Sequence, residues 1–312
     1  MKKTVLQRSL NAVVLNIIFL EKNVTFITGK LLPLYSQKQI LKNYHHKLFP
    51  YAYNILGSSE DAKDVIQDVL VKYYSIKKEH VENEIGYLVK SVINQSINLK
   101  KRNHKMVSNS VWLPEPIATE IADDAMHKKD IVSYSILVLL EKLTPTERAV
   151  FILKNAFEYS HKEVSVVINS TVENSRKLLS RAAKKLNDPN LNFHNKAPNS
   201  FIENYIKVIQ NGDVAHLEKM LSEDISLYAD GGKEVKVVRE FTTGISATTK
   251  LLLYVHKAFL TGLQFEFTMV NHQPAILFYR KGEIYNCQVF EINGKEISAI
   301  YSIVDPSKLK SL

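Results

Sequence analysis

The chain has 312 residues, of which 45% are hydrophobic and 23% charged, ordinary values for a globular protein too long to be one domain. One cysteine, Cys287, excludes an internal disulfide framework and most cysteine-based metal sites, and points to a reducing cytoplasm. The net charge of +9 is unevenly spread: residues 199–312 carry 12 Lys and Arg against 13 Asp and Glu, residues 1–198 carry 29 against 19, and such a field favours a polyanionic partner.

Residues 1–37 read as an N-terminal extension without an assignable role. Val13–Leu20 is apolar and preceded by basic residues, but it falls short of the roughly 20 residues that span a bilayer. It also lacks a small-residue cleavage site, so neither export nor a membrane partner is expected.

Residues 38–106 read as a helical domain. Ile40, Leu41, Tyr44, Leu48, Tyr51, Ala52 and Ile55 recur at helical spacing. Gly57 stops that helix, and Ser58 or Ser59 caps the next. The second helix turns Ala62, Val65, Ile66, Val69 and Leu70 inward and Asp61, Asp64, Gln67, Asp68 and Lys72 outward. A third runs from about Ile85 to Arg102 and ends in the basic cluster Lys100, Lys101, Arg102 and Lys105. Residues 107–132 form a linker, because each proline of Trp112-Leu-Pro-Glu-Pro116 pushes its predecessor toward an extended backbone.

Helical signals return at about Ile131 and run to Leu186, giving a second helical domain over residues 133–188 that Asp188-Pro189 ends. Three starts of the form Ser/Thr-x-x-Glu occur there, at Thr144–Glu147, Ser160–Glu163 and Ser170–Glu173. A short helix over about Lys162–Ile168, followed after two residues by a longer basic one, is helix-turn-helix geometry. In the last helix Val172, Leu179, Ala182, Ala183 and Leu186 are expected inside, with Ser175 a polar misfit. Glu173, Asn174, Arg176, Lys177, Arg181 and Lys184 remain for the outer face, where Asn and Arg read base edges and cations hold phosphate. A solvated face on an ordinary helical bundle is the bland alternative.

Residues 199–312 change texture. Helices over Phe201–Leu221, broken at Asn211-Gly212-Asp213, precede β-type runs at Ile225–Ala229, Phe265–Val270, Ala275–Arg280, Glu283–Ile292 and Ile297–Val304. Gly282 and Asn293-Gly294 supply turns. The expected class is α+β with a mostly antiparallel sheet.

Two separated motif sets resemble the extracytoplasmic-function (ECF) sigma factors. Leu143–Phe151 and Val172–Ala182 resemble their fourth conserved region; Ala52–Val69, Tyr87–Asn94 and Lys100–Arg102 resemble the second. Trp112-Leu-Pro-Glu-Pro116 is similar to the linker signature of those members that carry a C-terminal SnoaL-like domain. Asp230-Gly-Gly-Lys233, Asn271–Ala275 and Asp305–Leu309 stand where that domain's short motifs belong. The glycine run is one residue short, and Asp305 and Ser307 replace the usual Asn and Asp.

The resemblance implies a multidomain protein: two all-α sigma domains, the second a helix-turn-helix, then an α+β cone-shaped SnoaL-like domain. It implies core RNA polymerase and promoter DNA as partners, with no cofactor. Asp61, Asp64, Gln67 and Asp68 would dock on the polymerase. Tyr87, Asn94, Asn98, Lys100, Lys101 and Arg102 would lie near the −10 element, and Ser170, Thr171, Glu173, Asn174, Arg176, Lys177 and Arg181 near the −35 element. Trp112, Leu113 and Pro114 would meet Asp230, Gly231, Gly232, Lys233, Asp305, Pro306, Lys308 and Leu309 in regulatory contacts.

Two other readings stay open. A stand-alone helix-turn-helix regulator would have no need of the acidic second helix. An enzyme could use Asp230, His272 and Tyr285 inside the cone, but these form no dyad at fixed spacing. A small molecule bound in the cone as a signal is the better reading of such a cavity. Neither a Gly-rich phosphate loop nor a metal motif occurs.

Overall fold

The computed structural model describes residues 34–75, 83–104, 111–119, 130–186 and 199–312. Most of the expected N-terminal extension, Lys105, and the helix end at Asp188-Pro189 lie outside the described residues. The chain divides into two units, residues 1–44 and 45–312. Of the first, residues 34–44 are described, and they are helical.

Helix α1 (Leu34–Leu56) ends at Gly57, whose φ of +74° is the left-handed conformation that glycine adopts without a steric penalty. Its N–H bonds to the Tyr53 carbonyl at 2.7 Å. Helix α2 (Ser59–Ser75) begins two residues on, with Ser58 Oγ accepting from Asp61 N at 3.2 Å. Its buried face is Ala62, Val65, Ile66, Val69, Leu70 and Tyr73, the expected stripe and one more turn. Helix α3 (Glu84–His104) packs against it.

The second helical group is α4 (Tyr134–Leu139), α5 (Pro145–Asn155), α6 (His161–Val167) and α7 (Val172–Leu186). Thr144 and Ser160 cap α5 and α6 in reciprocal capping boxes with Glu147 and Glu163. The third start shifts by one residue: Thr171 Oγ1, not Ser170, accepts the N–H of Asn174 at 3.1 Å. The inner face of α7 is Ser175, Leu178, Ala182 and Leu186, so Leu178 replaces the expected Leu179 and Ala183 is exposed. Ser175 fits inside because its hydroxyl meets His161 Nδ1 at 2.9 Å.

Helices α8 (Asn199–Gln210) and α9 (Val214–Met220) lead into the sheet, with Asp213 capping α9. The strands are β1 (Leu221–Asp230), β2 (Phe241–Thr243), β3 (Gln264–Val270), β4 (Gln273–Arg280), β5 (Glu283–Asn293) and β6 (Glu296–Ile303). They lie in the order β2-β1-β6-β5-β4-β3, antiparallel except for the parallel β1–β6 pair. Helix α10 (Ile245–Val255), unexpected from a sequence rich in β-branched residues, lies between β2 and β3. A one-turn helix, α11 (Pro306–Leu309), follows β6.

The sheet buries both faces. One carries Leu227, Ile276, Phe278, Phe290, Ile297 and Ile300 against α8, α9 and α10. The other carries Leu277, Cys287, Val289, Ala299, Tyr301 and Ile303 against Leu113 of the linker, Tyr134 of α4 and Leu309. Period-two side-chain alternation therefore serves two cores, which explains the near-continuous apolar strands.

Candidate functional site

The linker is the most densely bonded segment between the helical groups and the sheet. Two prolines and the extended backbone leave its peptide groups without local partners, so buried residues 113–116 must find them elsewhere. Leu113 N donates to Asp230 Oδ2 at 2.8 Å, and its carbonyl accepts from Lys308 Nζ at 2.7 Å. The Pro114 carbonyl accepts from Tyr134 Oη at 2.6 Å, and that of Pro116 from Ser311 Oγ at 2.9 Å. Ile117 exchanges two hydrogen bonds of 2.9 Å with Asn271, one through the side-chain Oδ1 and one through the backbone N–H. Thr119 N reaches the Met269 carbonyl at 2.8 Å, and Ala118 forms a β-bridge with Val270. In effect the linker adds a short strand to the free edge of β3.

The same segment grips α1 and α2. Glu115 N bonds to the Gly57 carbonyl at 2.8 Å, and its carbonyl accepts from Tyr53 Oη at 2.7 Å. The Glu115 carboxylate accepts from Ser59 N at 2.6 Å, so a linker residue helps cap the N-terminus of α2. Asn271 Nδ2 donates to Tyr53 Oη at 2.9 Å, joining sheet, linker and α1 through one side chain.

Trp112 sits beneath two ammonium groups, with Lys308 Nζ 4.5 Å and Lys100 Nζ 4.9 Å from its ring centroid. A Cβ on Gly57 would lie 3.0 Å from Trp112 Cη2, so the glycine both ends α1 and makes room for the indole. Lys308 also pairs with Asp230 at 2.5 Å. Gly231 is buried and Gly232 exposed; side chains there would run into the Val235 carbonyl and the Asp305 carboxylate. Asp305 caps α11 through Ser307, Leu309 is buried beneath the linker face, and Lys233 and Pro306 are exposed.

Lys100 departs from the expected promoter face. It is 7% exposed, donating to the Leu56 carbonyl and to Glu141, each at 2.9 Å. Arg148, fully buried, pairs with the same Glu141 and donates Nε to the Asn54 carbonyl at 2.8 Å. Burial, then the nearby Arg148, lower the Lys100 pKa to about 8, opposed by Glu141. Burial alone would raise the Glu141 carboxyl, but Arg148 and Lys100 outweigh it and hold the group below its usual range. This charge cluster ties α1 and α3 to α5.

The other expected site residues lie on accessible faces to differing degrees. Asp64, Gln67 and Asp68 are exposed along α2, and Asp61 is half-buried. Tyr87, Asn98, Lys101 and Arg102 are exposed on α3. Asn94 is half-buried, its Nδ2 donating across to the Val167 carbonyl at the end of α6 at 2.7 Å. On α7, Glu173, Asn174, Arg176, Lys177 and Arg181 are exposed, as is Thr171; Ser170 is half-buried and holds Asn174 Nδ2 at 2.7 Å.

Asp230, His272 and Tyr285 do not share a site. Asp230 binds the linker, the His272 backbone binds Thr119 Oγ1 from the β3–β4 turn, and Tyr285 lines a cavity on the opposite face of the sheet. Sequence reasoning also missed Tyr53, Glu115, Gln273 and the hub role of Asn271. Gln273 Oε1 accepts from Ser135 N at 2.7 Å and so meets the first turn of α4. All four lie within motifs quoted above, Tyr53 in Ala52–Val69, Glu115 in Trp112–Pro116, and Asn271 and Gln273 in Asn271–Ala275, but no local pattern names their distant partners.

Known proteins resemble this chain in sequence and in fold. Residues 133–186 match the family described as Sigma-70, region 4. The chain is 24% identical over 277 residues to the probable ECF RNA polymerase sigma factor SigI of Mycobacterium tuberculosis, covering 85% of this chain and 92% of that protein. It is 23% identical over 280 residues to the ECF RNA polymerase sigma factor SigJ of the same species, covering 84% and 89%. The crystal structure of M. tuberculosis SigJ superposes with a TM-score of 0.70 at 21% identity, covering 89% of this chain and 98% of that one, so the fold is shared.

Proposed function

We propose that this chain, an ECF sigma factor with a SnoaL-like C-terminal domain, joins core RNA polymerase and promoter DNA in transcription initiation and is restrained by that fused domain. The observation that carries the restraint is the clasped linker. Its backbone between Leu113 and Thr119 is bonded on one side to Asp230, Lys308, Asn271 and Met269 and on the other to Tyr53 and Gly57.

In this reading Asp61, Asp64, Gln67 and Asp68 meet a basic polymerase surface. Tyr87, Asn94, Asn98, Lys101 and Arg102 face the −10 element, where an aromatic or amide receives an unstacked base and cations follow phosphate. The outer face of α7 enters the major groove at −35. Lys100 is withheld from the promoter set while the helical groups are packed, its ammonium serving Glu141 and Leu56, and joins it when they part. Trp112, Leu113 and Pro114, with Asp230, Lys308 and Leu309, form the restraint itself, and a small molecule in the cone is its natural signal.

The test is binding to purified core polymerase, with promoter transcription, by the full chain and by a form truncated after Ile303. Both forms should bind, and truncation, which removes Lys308 and Leu309, should change transcription. Failure of both forms to bind would sink the reading and favour a stand-alone helix-turn-helix regulator.

A further inference from the structure

On the side of the sheet away from the linker lies a cavity of about 90 Å³. Leu251, Leu252, Val255, Phe259 and Leu260 form an apolar wall, as expected for small-molecule sites. The wall is broken by a polar strip where β5 meets β6: Asn286, Gln288 and Ser302. Asn286 is 2% exposed, and its Nδ2 donates to Ser302 Oγ at 2.7 Å. Its Oδ1 is buried without a hydrogen-bond partner. A carbonyl left so is a cost to folding that a leucine of similar volume would avoid.

We propose that this cavity is a binding site for a small, mostly apolar molecule, about one ring in size, that brings a hydroxyl or N–H donor to Asn286 Oδ1. Lys236 and Arg239, both exposed, also line the cavity, but the buried group left free inside it is an acceptor, so the ligand must carry a donor. A metal fits poorly, because no cluster of three His, Cys, Asp or Glu occurs among the described residues. The amide thus serves as a specificity element in a site whose affinity comes from apolar contact.

The site is placed to act on the clasp, a step that rests on the regulatory reading above. Leu227 and Ala229 of β1 line the cavity, while Asp230, next in the chain, holds Leu113 on the other face. Val304 lines the cavity too, and its N–H bonds to the Asp230 carbonyl at 2.8 Å. Occupancy and clasp closure are therefore linked, and linkage is reciprocal.

The test is calorimetric titration of the full-length protein with phenol and with fluorobenzene, which keeps the ring and lacks the donor. Phenol should bind at least tenfold more tightly, and Asn286→Leu should abolish that preference without lowering Tm. Equal affinities, a preference that survives Asn286→Leu, or no binding of phenol up to about 10 mM would overturn the site. Lys308→Ala should shift phenol affinity several-fold, and an unchanged affinity would overturn the coupling. Polymerase binding measured on the same preparations separates the two readings: if it is absent while the phenol preference stands, the functional reading falls and the site remains.

Discussion

Lys100 holds its charge where charge is costly. Two cations, Lys100 and Arg148, share the single carboxylate Glu141, and the lysine pKa drops to about 8 while burial and Arg148 oppose its proton. A lysine with a depressed folded pKa binds fewer protons folded than unfolded above that value, so its contribution to stability grows more favourable as pH rises toward the unfolded pKa. Between pH 7 and 9 the gain should be about 1 kcal/mol relative to Lys100→Met, read from denaturant midpoints of both proteins at each pH. A pH-independent difference would show that the ammonium is not desolvated. Glu141 has the opposite sign: its depressed pKa stabilises the fold above the ordinary carboxylate range, and that support fades as pH falls through the folded value. Glu115 acts by geometry instead. Replacing it with Ala removes the acceptor of Ser59 N and should cost about 1–2 kcal/mol, with amide exchange at Ser59 and Glu60 quickening more than at the C-terminal end of α2.

The β3–β4 turn shows how an element can be built for a contact. Asn271 and His272 both have positive φ, 47° and 62°, the requirement of a two-residue type I′ hairpin, and Asn-Gly would satisfy it with less strain. The Asn271 side chain instead reaches Ile117 and Tyr53, and the His272 N–H reaches Thr119. Asn271→Gly keeps the turn and deletes those side-chain bonds; Asn271→Ala deletes them and strains the backbone. Both should raise protease sensitivity of the linker, and Ala should lower Tm further than Gly. Equal Tm values would mean that the left-handed backbone is not a constraint there. The helix-turn-helix is legible in the sequence because its signals are local: Thr144 and Ser160 with their glutamates fix helix starts within four residues. The inner register of α7 is not, since Ser175 is satisfied by His161, fourteen residues away. Helix α10 is hidden for a similar reason, its buried Thr248 and Thr249 giving no helical preference of their own. The burial of Lys100 is not legible either: neighbours on a helix point about 100° apart, so Lys100 turns inward while Lys101 and Arg102 stay exposed.

Within residues 45–312 the two helical groups touch. Helix α3 packs on α5, and Asn94 of α3 bonds to the end of α6, one helix before α7. Helices in contact lie about 8–10 Å apart. Promoter elements at −35 and −10 are about 25 base pairs apart, or about 85 Å at about 3.4 Å per pair. The arrangement that buries Lys100, Glu141 and Arg148 therefore cannot place α3 and α7 on both elements at once, and the proposed function requires these groups to part. Parting the bonds of Leu113, Pro116, Ile117 and Thr119 to Asp230, Lys308, Ser311, Asn271 and Met269 would detach the described part of the linker from the C-terminal domain, which makes it the proposed hinge. Distance measurement tests this directly. Cys287 is fully buried, and burial raises its thiol pKa, so it stays inert while introduced cysteines react. Dyes on Lys63→Cys and Lys184→Cys, both exposed positions, should show high energy transfer in the free protein and a marked fall on binding core polymerase. Trp112→Ala should lower transfer before polymerase is added, because the indole beneath Lys100 and Lys308 joins the linker to both sides of the clasp. Transfer that stays high on the polymerase would mean that the groups remain packed, and the requirement for opening would fail.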